Sequence, residues 1–469
     1  MSGILLASVG NSYGSAPVNT VAPAVTGTAT FGQTLSTTNG TWTGAPAPTF
    51  TYQWQRVTTN ISGATSSTYV LVAADVGNTI RCVVTATNVI APSGVSANSN
   101  STATVAATVP GAPTIGTATA TGSSTATVAF TAPASNGGAT ITTYTATSSP
   151  SGITGTLSQA GSGTITVSGL APTTSYTFTV TATNSAGTGA ASAASNSITT
   201  QAVTGQEAYT TAGTYSWVAP TGVTSVSVVA IGGGGSTNGY AGTGGPGGGG
   251  LGYKNNYTVV PGDSYTVIVG IGGSRAPAYN GGNSSFVSTA VVKGGGGFSV
   301  ITGGSPQDPG AGGTYTGDGG GNGGSGGNPE VNSNGGAGGA GGYAGTGGNG
   351  GNGSQGGTPT DGTGGTGGAA GGGGGSTAGA YSGGAGGGTG ILGQGSNGAG
   401  GVGGRFATGG GGGSGGTTGG TGGDADGTAG VYGGGGAGYS AGSKGGVGAV
   451  RIIWPGTTRS FPSTNTGNL

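Results

Sequence analysis

Few side chains in this sequence could do acid–base or nucleophilic chemistry. The 469 residues include no histidine and a single cysteine, Cys82, and Asp and Glu together number nine. Without histidine, a Ser-His-Asp arrangement and most zinc sites cannot form. No histidine is present to activate the Cys82 thiol, so we expect a small buried apolar residue, with a reactive thiol as the alternative. We therefore expect a protein that is not an enzyme.

The closest pair of carboxylates, Asp424 and Asp426, lies in the string GGTGGDADG. These nine residues match the first part of a calcium-binding β-roll repeat. They occur once rather than in tandem, and Asp426 occupies the apolar position of the repeat. Strings of the form GxGxxG are frequent, but none follows the strand, helix and acidic residue that a dinucleotide site requires. The sequence predicts no metal and no cofactor.

Composition excludes further classes of partner. The formal net charge is zero and only 4% of residues are charged, so there is no basic patch for nucleic acid. No apolar run is long enough to insert into a membrane. The N-terminal residues, MSGILLASVGNSYGSAP, lack the positive region of a secretory signal. We expect no nucleic-acid partner, no membrane insertion and no secretory route.

The elements that must carry any function are β-strands, because Thr, Ser, Ala and Val dominate the chain outside its glycines. After an attachment segment at 1–17, residues 18–106 alternate Thr, Ser and Val with regularly spaced turns, as in a small sandwich. The strings TYQWQR and DVGNTIRC resemble an immunoglobulin-like domain with Trp54 in its core. Leu35 lies about where the first cysteine of that family would be, so the resemblance implies no disulfide.

A second sandwich is predicted at 107–201, after the proline-rich boundary VPGAPT. The strings FTAPASNGGATITTYTATS and ITVSGLAPTTSYTFTVTATNSAG resemble a fibronectin type III domain. Leu170 and Tyr176 match the leucine and tyrosine-corner positions of that family, and Phe130 stands where tryptophan is usual. The resemblance implies a spacer or weak-binding module without catalytic residues.

A third, glycine-rich β domain is predicted at 205–456, with a large insertion at 294–447 and a tail at 457–469. Strings such as TSVSVVAIGGGG and PGDSYTVIVG predict strands, and GAVRIIWPG supplies the last one beyond the insertion. We expect the two ends of the insertion to be held in one sheet. The predicted fold class is therefore all-β: two tandem sandwiches followed by this domain.

The insertion itself has two interpretations. Composition favours a flexible glycine linker. The string GGAGGAGGYAGTGGNGGNG, however, repeats every three residues with two glycines per repeat, whereas collagen has one glycine per triplet. Such a period suggests packed polyglycine II helices, whose backbones bond to neighbouring helices and leave no room for most side chains. The pinned ends favour this ordered alternative.

The third domain resembles the glycine-rich domain of phage tail and fibre proteins, on the strings TYSWVAP, SVSVVAIGGGG, PGDSYTVIVG and AVRIIW. The resemblance implies a homo-oligomeric virion protein, a trimer being favoured, located on the phage particle beside other virion proteins. It would recognise a host-surface glycan or outer-membrane protein. A capsid or neck decoration, a bacterial surface adhesin and a polysaccharide hydrolase are the alternatives.

The resemblance also implies which residues contact the receptor: the larger side chains that interrupt the glycine-rich sequence. Each either contacts the receptor or packs over the domain's own glycine lattice. These candidates are Tyr315, Tyr343, Tyr381, Ile391, Phe406, Tyr432 and Tyr439.

Overall fold

The computed structural model describes residues 14–237, 242–274, 280–300, 308–377, 383–404, 407, 409–413, 429–436 and 444–463. These residues are all-β apart from one 3-10 turn, Ala73–Asp75. The chain divides into two compact units, Met1–Gln201 and Ala202–Leu469. No helix in the described ranges has the length and hydropathy to cross a bilayer.

The first sandwich belongs to unit 1 and has sheets β1-β4, β2-β3-β7 and β6-β5-β8-β9. Leu35, Trp54 and Cys82 meet in its core, each with no exposed surface, so Cys82 fills apolar space as expected. Its strands are β1 Ser15–Val21, β2 Val25–Thr26, β3 Thr34–Thr37, β4 Thr41–Ala45, β5 Thr49–Arg56, β6 Thr59–Asn60, β7 Thr68–Val70, β8 Ile80–Asn88 and β9 Ala91–Asn98.

A buried carboxylate braces this sandwich. Asp75 is fully buried and pairs with Arg56 at 2.7 Å. It also accepts bonds from the Tyr69 hydroxyl and the Val72 N–H, both at 2.8 Å. The charge is therefore compensated on all sides, as burial requires.

The second sandwich packs a three-stranded sheet, β10-β11-β14, against a sheet of β13-β12-β15-β16 with β17 beside β15. Phe130 packs on Tyr144 at 4.2 Å between ring centroids. The Tyr176 hydroxyl accepts a bond from the Ala171 N–H at 3.0 Å, which forms the predicted tyrosine corner. The strands are β10 Thr114–Ala120, β11 Thr125–Thr131, β12 Thr143–Ser149, β13 Thr154–Leu157, β14 Gly163–Ser168, β15 Ser175–Asn184, β16 Gly187–Thr188 and β17 Ile198–Thr199.

Unit 2 contains two five-stranded sheets, with strand orders β18-β27-β20-β21-β26 and β19-β22-β23-β24-β25. Their strands are β18 Gly205–Tyr209, β19 Gly213–Val218, β20 Ser225–Ile231, β21 Leu251–Thr258, β22 Ser264–Val269, β23 Ser284–Phe286, β24 Val292–Gly294, β25 Tyr315–Thr316, β26 Gly319–Gly321 and β27 Ala449–Trp454. The insertion thus leaves from β24 in one sheet and returns through β27 in the other. The expectation that one sheet holds both ends is wrong, because the hydrophobic patterns of strands do not show which sheet each one joins.

The sheet that contains β27 is buried on both faces. Val228, Ile452 and Trp454 point into the core between the sheets. Val229, Ile231 and Ile453 point the other way, into a second apolar cluster with Tyr343 and Ile391 of the insertion. This double burial explains why every residue of β20 and β27 is buried and why most of them are apolar, with Ser225, Ser227 and Arg451 as the exceptions.

The glycine-rich segments of unit 2 form a lattice of backbone hydrogen bonds. The clearest case is the central segment, defined here as residues 335–342. Its N–H groups donate in rotation to three neighbouring segments, with a period of three residues. The pairs are Gly335, Gly338 and Gly341 with carbonyls of 243–249; Gly336, Gly339 and Gly342 with carbonyls of 345–351; Ala337 and Ala340 with carbonyls of 384–387.

The carbonyls of the central segment accept from three further segments, so six neighbours surround it. The donors are Gly324 and Gly327, Ala370 and Gly373, and Gly435. The period of the sequence, GGAGGAGG, is therefore the period of its bonding. Three residues per turn with no bonds inside a helix is also the geometry of the polyproline II conformation.

Close approach of backbones is the physical reason for glycine here. A Cβ on Gly336 would lie 2.1 Å from the Gly373 carbonyl oxygen, and one on Gly350 would lie 1.8 Å from the Gly336 oxygen. Both distances are far inside van der Waals contact, so any other residue must push two segments apart.

Candidate surface-contact site

The lattice has two chemically different ends. At the end that we call the outer end, away from the sheets, side chains replace the lattice bonds of the backbone. The N–H of Thr243 donates to Asn334 Oδ1 at 3.1 Å, and the N–H of Asn334 donates to Ser376 Oγ at 2.8 Å. Ser236 donates likewise to Ser299 Oγ at 2.7 Å. These bonds satisfy backbone groups where the segments stop.

Most of this capping layer is buried although it is polar. Ser236 and Ser376 have no exposed surface, and Thr243 and Asn334 are at most 5% exposed. Sequence reasoning missed these residues, and the signal was that Ser236, Thr243, Asn334 and Ser376 each adjoin a glycine run. The layer fixes the ends of the lattice segments, and the outer connections of the chain begin at these ends.

Two outer connections lie wholly within the described residues, at 328–333 and 354–359. The first contains a tight turn in which the Ser333 N–H donates to the Glu330 carbonyl at 3.0 Å. Asn332 has φ 61° in this turn, a conformation that asparagine tolerates better than most residues. The Gln355 N–H donates to Glu330 Oε2 at 2.7 Å, which ties the two connections together.

This described part of the outer end offers a mixed surface. Val331 is 45% exposed, beside the exposed Glu330 and Gln355. An apolar side chain beside a carboxylate and an amide can make shallow polar and apolar contacts.

Three of the predicted contact residues lie at the opposite end of the lattice, against the sheet. Tyr343 is 1% exposed and Ile391 is 7% exposed, and Tyr432 packs partly buried against the same cluster. Tyr343 stacks on Phe461 at 5.7 Å, and burial raises the pKa of its phenol. For Tyr343 and Ile391 the packing alternative describes the structure, because side chains so covered cannot reach a receptor.

The other predicted contact residues divide into two groups. Tyr315 is in β25 and 38% exposed, on a sheet rather than at the outer end. Tyr381, Phe406 and Tyr439 lie outside the described residues, as do Asp424 and Asp426.

A buried arginine joins the sheet to the lattice. Arg451 in β27 is 1% exposed. Its Nη1 donates to the Ile391 carbonyl at 3.1 Å, and its Nη2 donates to Gln206 Oε1 in β18. Burial lowers the pKa of this guanidinium. One side chain therefore links a central strand, an edge strand and a lattice segment.

A second surface feature of unit 2 is a shallow cleft of about 330 Å³ lined by Lys254, Tyr257, Ala290, Val291 and residues 316–318. Lys254 Nζ lies 2.5 Å from Asp318 Oδ1, and the Asn255 N–H donates to Asp318 Oδ2 at 2.8 Å. Burial of Asp318 opposes ionisation, but these two donors prevail and lower the pKa of the carboxyl. The carboxylate therefore joins β21 to the turn between β25 and β26.

The described residues contain no group of three or more Cys, Asp or Glu that could hold a metal ion. Burial raises the pKa of the Cys82 thiol, which disfavours the reactive thiolate.

Comparison with known proteins bears on the second sandwich. Residues 111–198 match the family described as the fibronectin type III domain. The tyrosine corner and the two packed sheets are present over the same residues.

The second sandwich is a fibronectin type III domain.

The chain also has a low likeness to solved structures. Domains A168-A170 from titin are 21% identical, over 39% of this chain and 67% of that chain, with a TM-score of 0.21. The FN1-FN3 domains of chicken CNTN1 are 16% identical, over 40% of this chain and 68% of that chain, with a TM-score of 0.20. Likenesses this low say nothing about what the chain binds. Comparison with curated proteins gives no match.

Proposed function

We propose that this protein is a phage virion fibre or adhesin that presents the outer end of its glycine lattice to the host-cell surface. Immunoglobulin-like and fibronectin type III domains are typical of adhesion and structural proteins, and here they serve as spacer or attachment modules. The receptor is a host-surface glycan or an outer-membrane protein. Other virion proteins hold the fibre on the particle.

One observation carries this proposal: the two ends of the lattice differ. The end against the sheet is sealed by an apolar cluster that includes Tyr343 and Phe461. The outer end is finished by a polar capping layer, and the connection 328–333, whose residues 330–332 are exposed, joins this layer at Asn334. Contact residues can be presented to a receptor when a well-packed lattice supports an exposed polar end.

The interaction expected at such a surface is weak for each copy. Polar and apolar contacts of the kind offered by Glu330, Val331 and Gln355 give modest affinity, and several copies on one particle would multiply it. We propose a homo-oligomer, with three chains favoured, for this reason and because closed symmetry is the rule for such assemblies. Polyglycine II helices are the conformation that we assign to the lattice, on its threefold bonding.

Adsorption of particles to host cells tests the proposal. Particles carrying a chain that ends at Gln201 should still assemble and should adsorb poorly. A second preparation with Val331→Asp tests the described outer turn, with Val402→Asp as a control at another exposed valine of unit 2. Unchanged adsorption of the truncated particles would remove the receptor-binding role.

A further inference from the structure

The broad face of the lattice is formed by what we call the outer row, defined as segments 310–314, 321–328, 346–354 and 360–366. Each lies beside the next in this order. Gly323 donates to Gly313, the N–H groups of Gly347, Gly350 and Gly353 donate to carbonyls of 322–328, and those of Thr360 and Thr363 donate to carbonyls of Asn352 and Asn349.

A helix with three residues per turn directs its N–H groups in three directions. Those of an interior segment all meet neighbouring carbonyls, whereas a surface segment directs every third one away from the lattice. Unbonded groups in such a row resemble the edge of a β-sheet, which readily pairs with another chain. The partner that fits this face best is a glycine segment of a second copy, because its carbonyls have the same three-residue spacing.

On segments 321–328 and 346–354 of the outer row, side chains of the neighbouring segment accept outward N–H groups instead. Asn349 Oδ1 accepts from the Ser325 N–H at 2.9 Å, and Asn352 Oδ1 accepts from the Asn328 N–H at 2.8 Å. The acceptors are three residues apart and so are the donors. The amide side chains therefore follow the period of the lattice.

The next pair of segments repeats the arrangement with hydroxyls. Thr363 Oγ1 accepts from the Asn349 N–H at 2.7 Å, and Thr360 Oγ1 accepts from the Asn352 N–H at 2.6 Å. Each asparagine thus covers the segment before it and is itself covered by a threonine.

A separate edge of the lattice uses the same device. Asn283 Oδ1 accepts from the Gly296 N–H, and Asn280 Oδ1 accepts from the Ser299 N–H, both at 2.9 Å. Donors and acceptors are again three residues apart. The same arrangement of asparagine caps on two edges of the lattice indicates a common function rather than a coincidence of local structure.

We infer that the broad face of the outer row is a masked self-association surface, and that asparagine and threonine side chains keep it from pairing with the lattice of a second copy. Proteins protect exposed β-edges in comparable ways, at some cost in sequence freedom. The inference rests on the lattice alone and does not depend on the proposed function.

The test is the mass in solution of the full chain with Asn349→Gly and Asn352→Gly, measured by light scattering over a range of concentrations. Uncovering Ser325 and Asn328 should raise the mass about twofold or more over the wild type at the same concentration. A second variant, Thr360→Val with Thr363→Val, removes only hydroxyl acceptors and should do the same. It guards against a folding defect specific to the asparagine changes.

Asn322→Gly with Asn328→Gly is the matched control. Both residues are exposed on the same face, and neither side chain covers a backbone group in the described structure. The control should keep the wild-type mass. Wild-type mass in both cap variants would overturn the inference, and so would an equal increase in the control, since the effect would then follow from lost surface polarity.

Discussion

At the scale of single residues, the absence of a Cβ in glycine decides how closely two segments of the lattice can approach each other. Glycine in the lattice interior lets the carbonyl of a neighbouring segment occupy the place of a Cβ, as at Gly350. Where a methyl group does fit, alanine appears at one rotational position, as at Ala337 and Ala340, and both are fully buried. Local space rather than flexibility therefore explains this composition.

Gly350→Ala should destabilise unit 2, because its Cβ would lie 1.8 Å from the Gly336 oxygen. We expect a loss of about 1–3 kcal/mol, as for overpacked cores, in the free energy of unfolding measured with denaturant. Gly356→Ala is the matched control, because its Cβ meets nothing within 4 Å. Equal stability of the two variants would contradict close packing of the lattice.

Tyr69 should make the first sandwich sensitive to alkali. Burial, together with its bond to Asp75, raises the pKa of this phenol from 10.0 to about 12. Below the unfolded value both states are protonated. As the pH rises from 10.0 towards about 12 the unfolded chain loses the proton first, so stability falls.

Tyr69→Phe should flatten this part of the pH dependence, although it also loses the hydroxyl bond to Asp75. The measurement is the free energy of unfolding of unit 1, in the full chain, at a pH just below 10.0 and at one between 10.0 and 12. The same decrease in the variant would show that another group is responsible.

At the scale of elements, β27 is the strand on which unit 2 depends. It lies between β18 and β20 and all six of its residues are buried. Its Arg451 also bonds to the lattice at Ile391. A strand from beyond the insertion therefore completes the sheet that supports the insertion.

A chain that ends at Gly448 should leave unit 2 unfolded and unit 1 intact. Removing a central strand exposes both neighbours and both apolar clusters, which the remaining strands cannot cover. Limited proteolysis should then degrade residues after Gln201 while a fragment of unit 1 persists. Survival of a protease-resistant unit 2 would show that the lattice and the other sheet suffice.

Sequence patterns predict some elements better than others. Alternating strands around Trp54 and Tyr176 identify two sandwiches, because each strand has one buried face. The aromatic and β-branched run AVRIIW likewise predicts β27. The sheet to which each strand belongs was not predictable, since β20 and β27 are buried on both faces and β24 carries only three residues.

The candidate contact residues show the same limit. A tyrosine within a glycine-rich segment is visible in the sequence, but the sequence does not show at which end of the lattice that tyrosine lies. Tyr343 lies beside Phe461 because segment 335–342 runs towards the sheet, and threefold periodicity does not encode that direction. The asparagines of TGGNGGNG were visible as a period, whereas their capping role depends on which segments are neighbours.

At the scale of the whole molecule, the segments of the lattice should unfold cooperatively rather than one at a time. Each N–H of the central segment bonds to a different neighbour from the one before it. Opening one segment therefore breaks bonds to several others, and local unfolding becomes costly.

Hydrogen exchange should consequently be slow at residues 335–342 and fast at the exposed residues 330–332. The measurement is amide exchange of the assembled protein, resolved by fragment. Exchange of the central segment at the rate of an unfolded peptide would rule out polyglycine II helices and restore the flexible linker as the better description.

The capping layer at the outer end has an evolutionary consequence. Because Asn334, Ser376 and Ser299 end the segments with side chains, the connections beyond them can change length and sequence while the segments keep their bonds. Diversity can then accumulate at one end of unit 2 without repeated selection for folding. The same property makes the outer turns suitable places to graft foreign peptides for display.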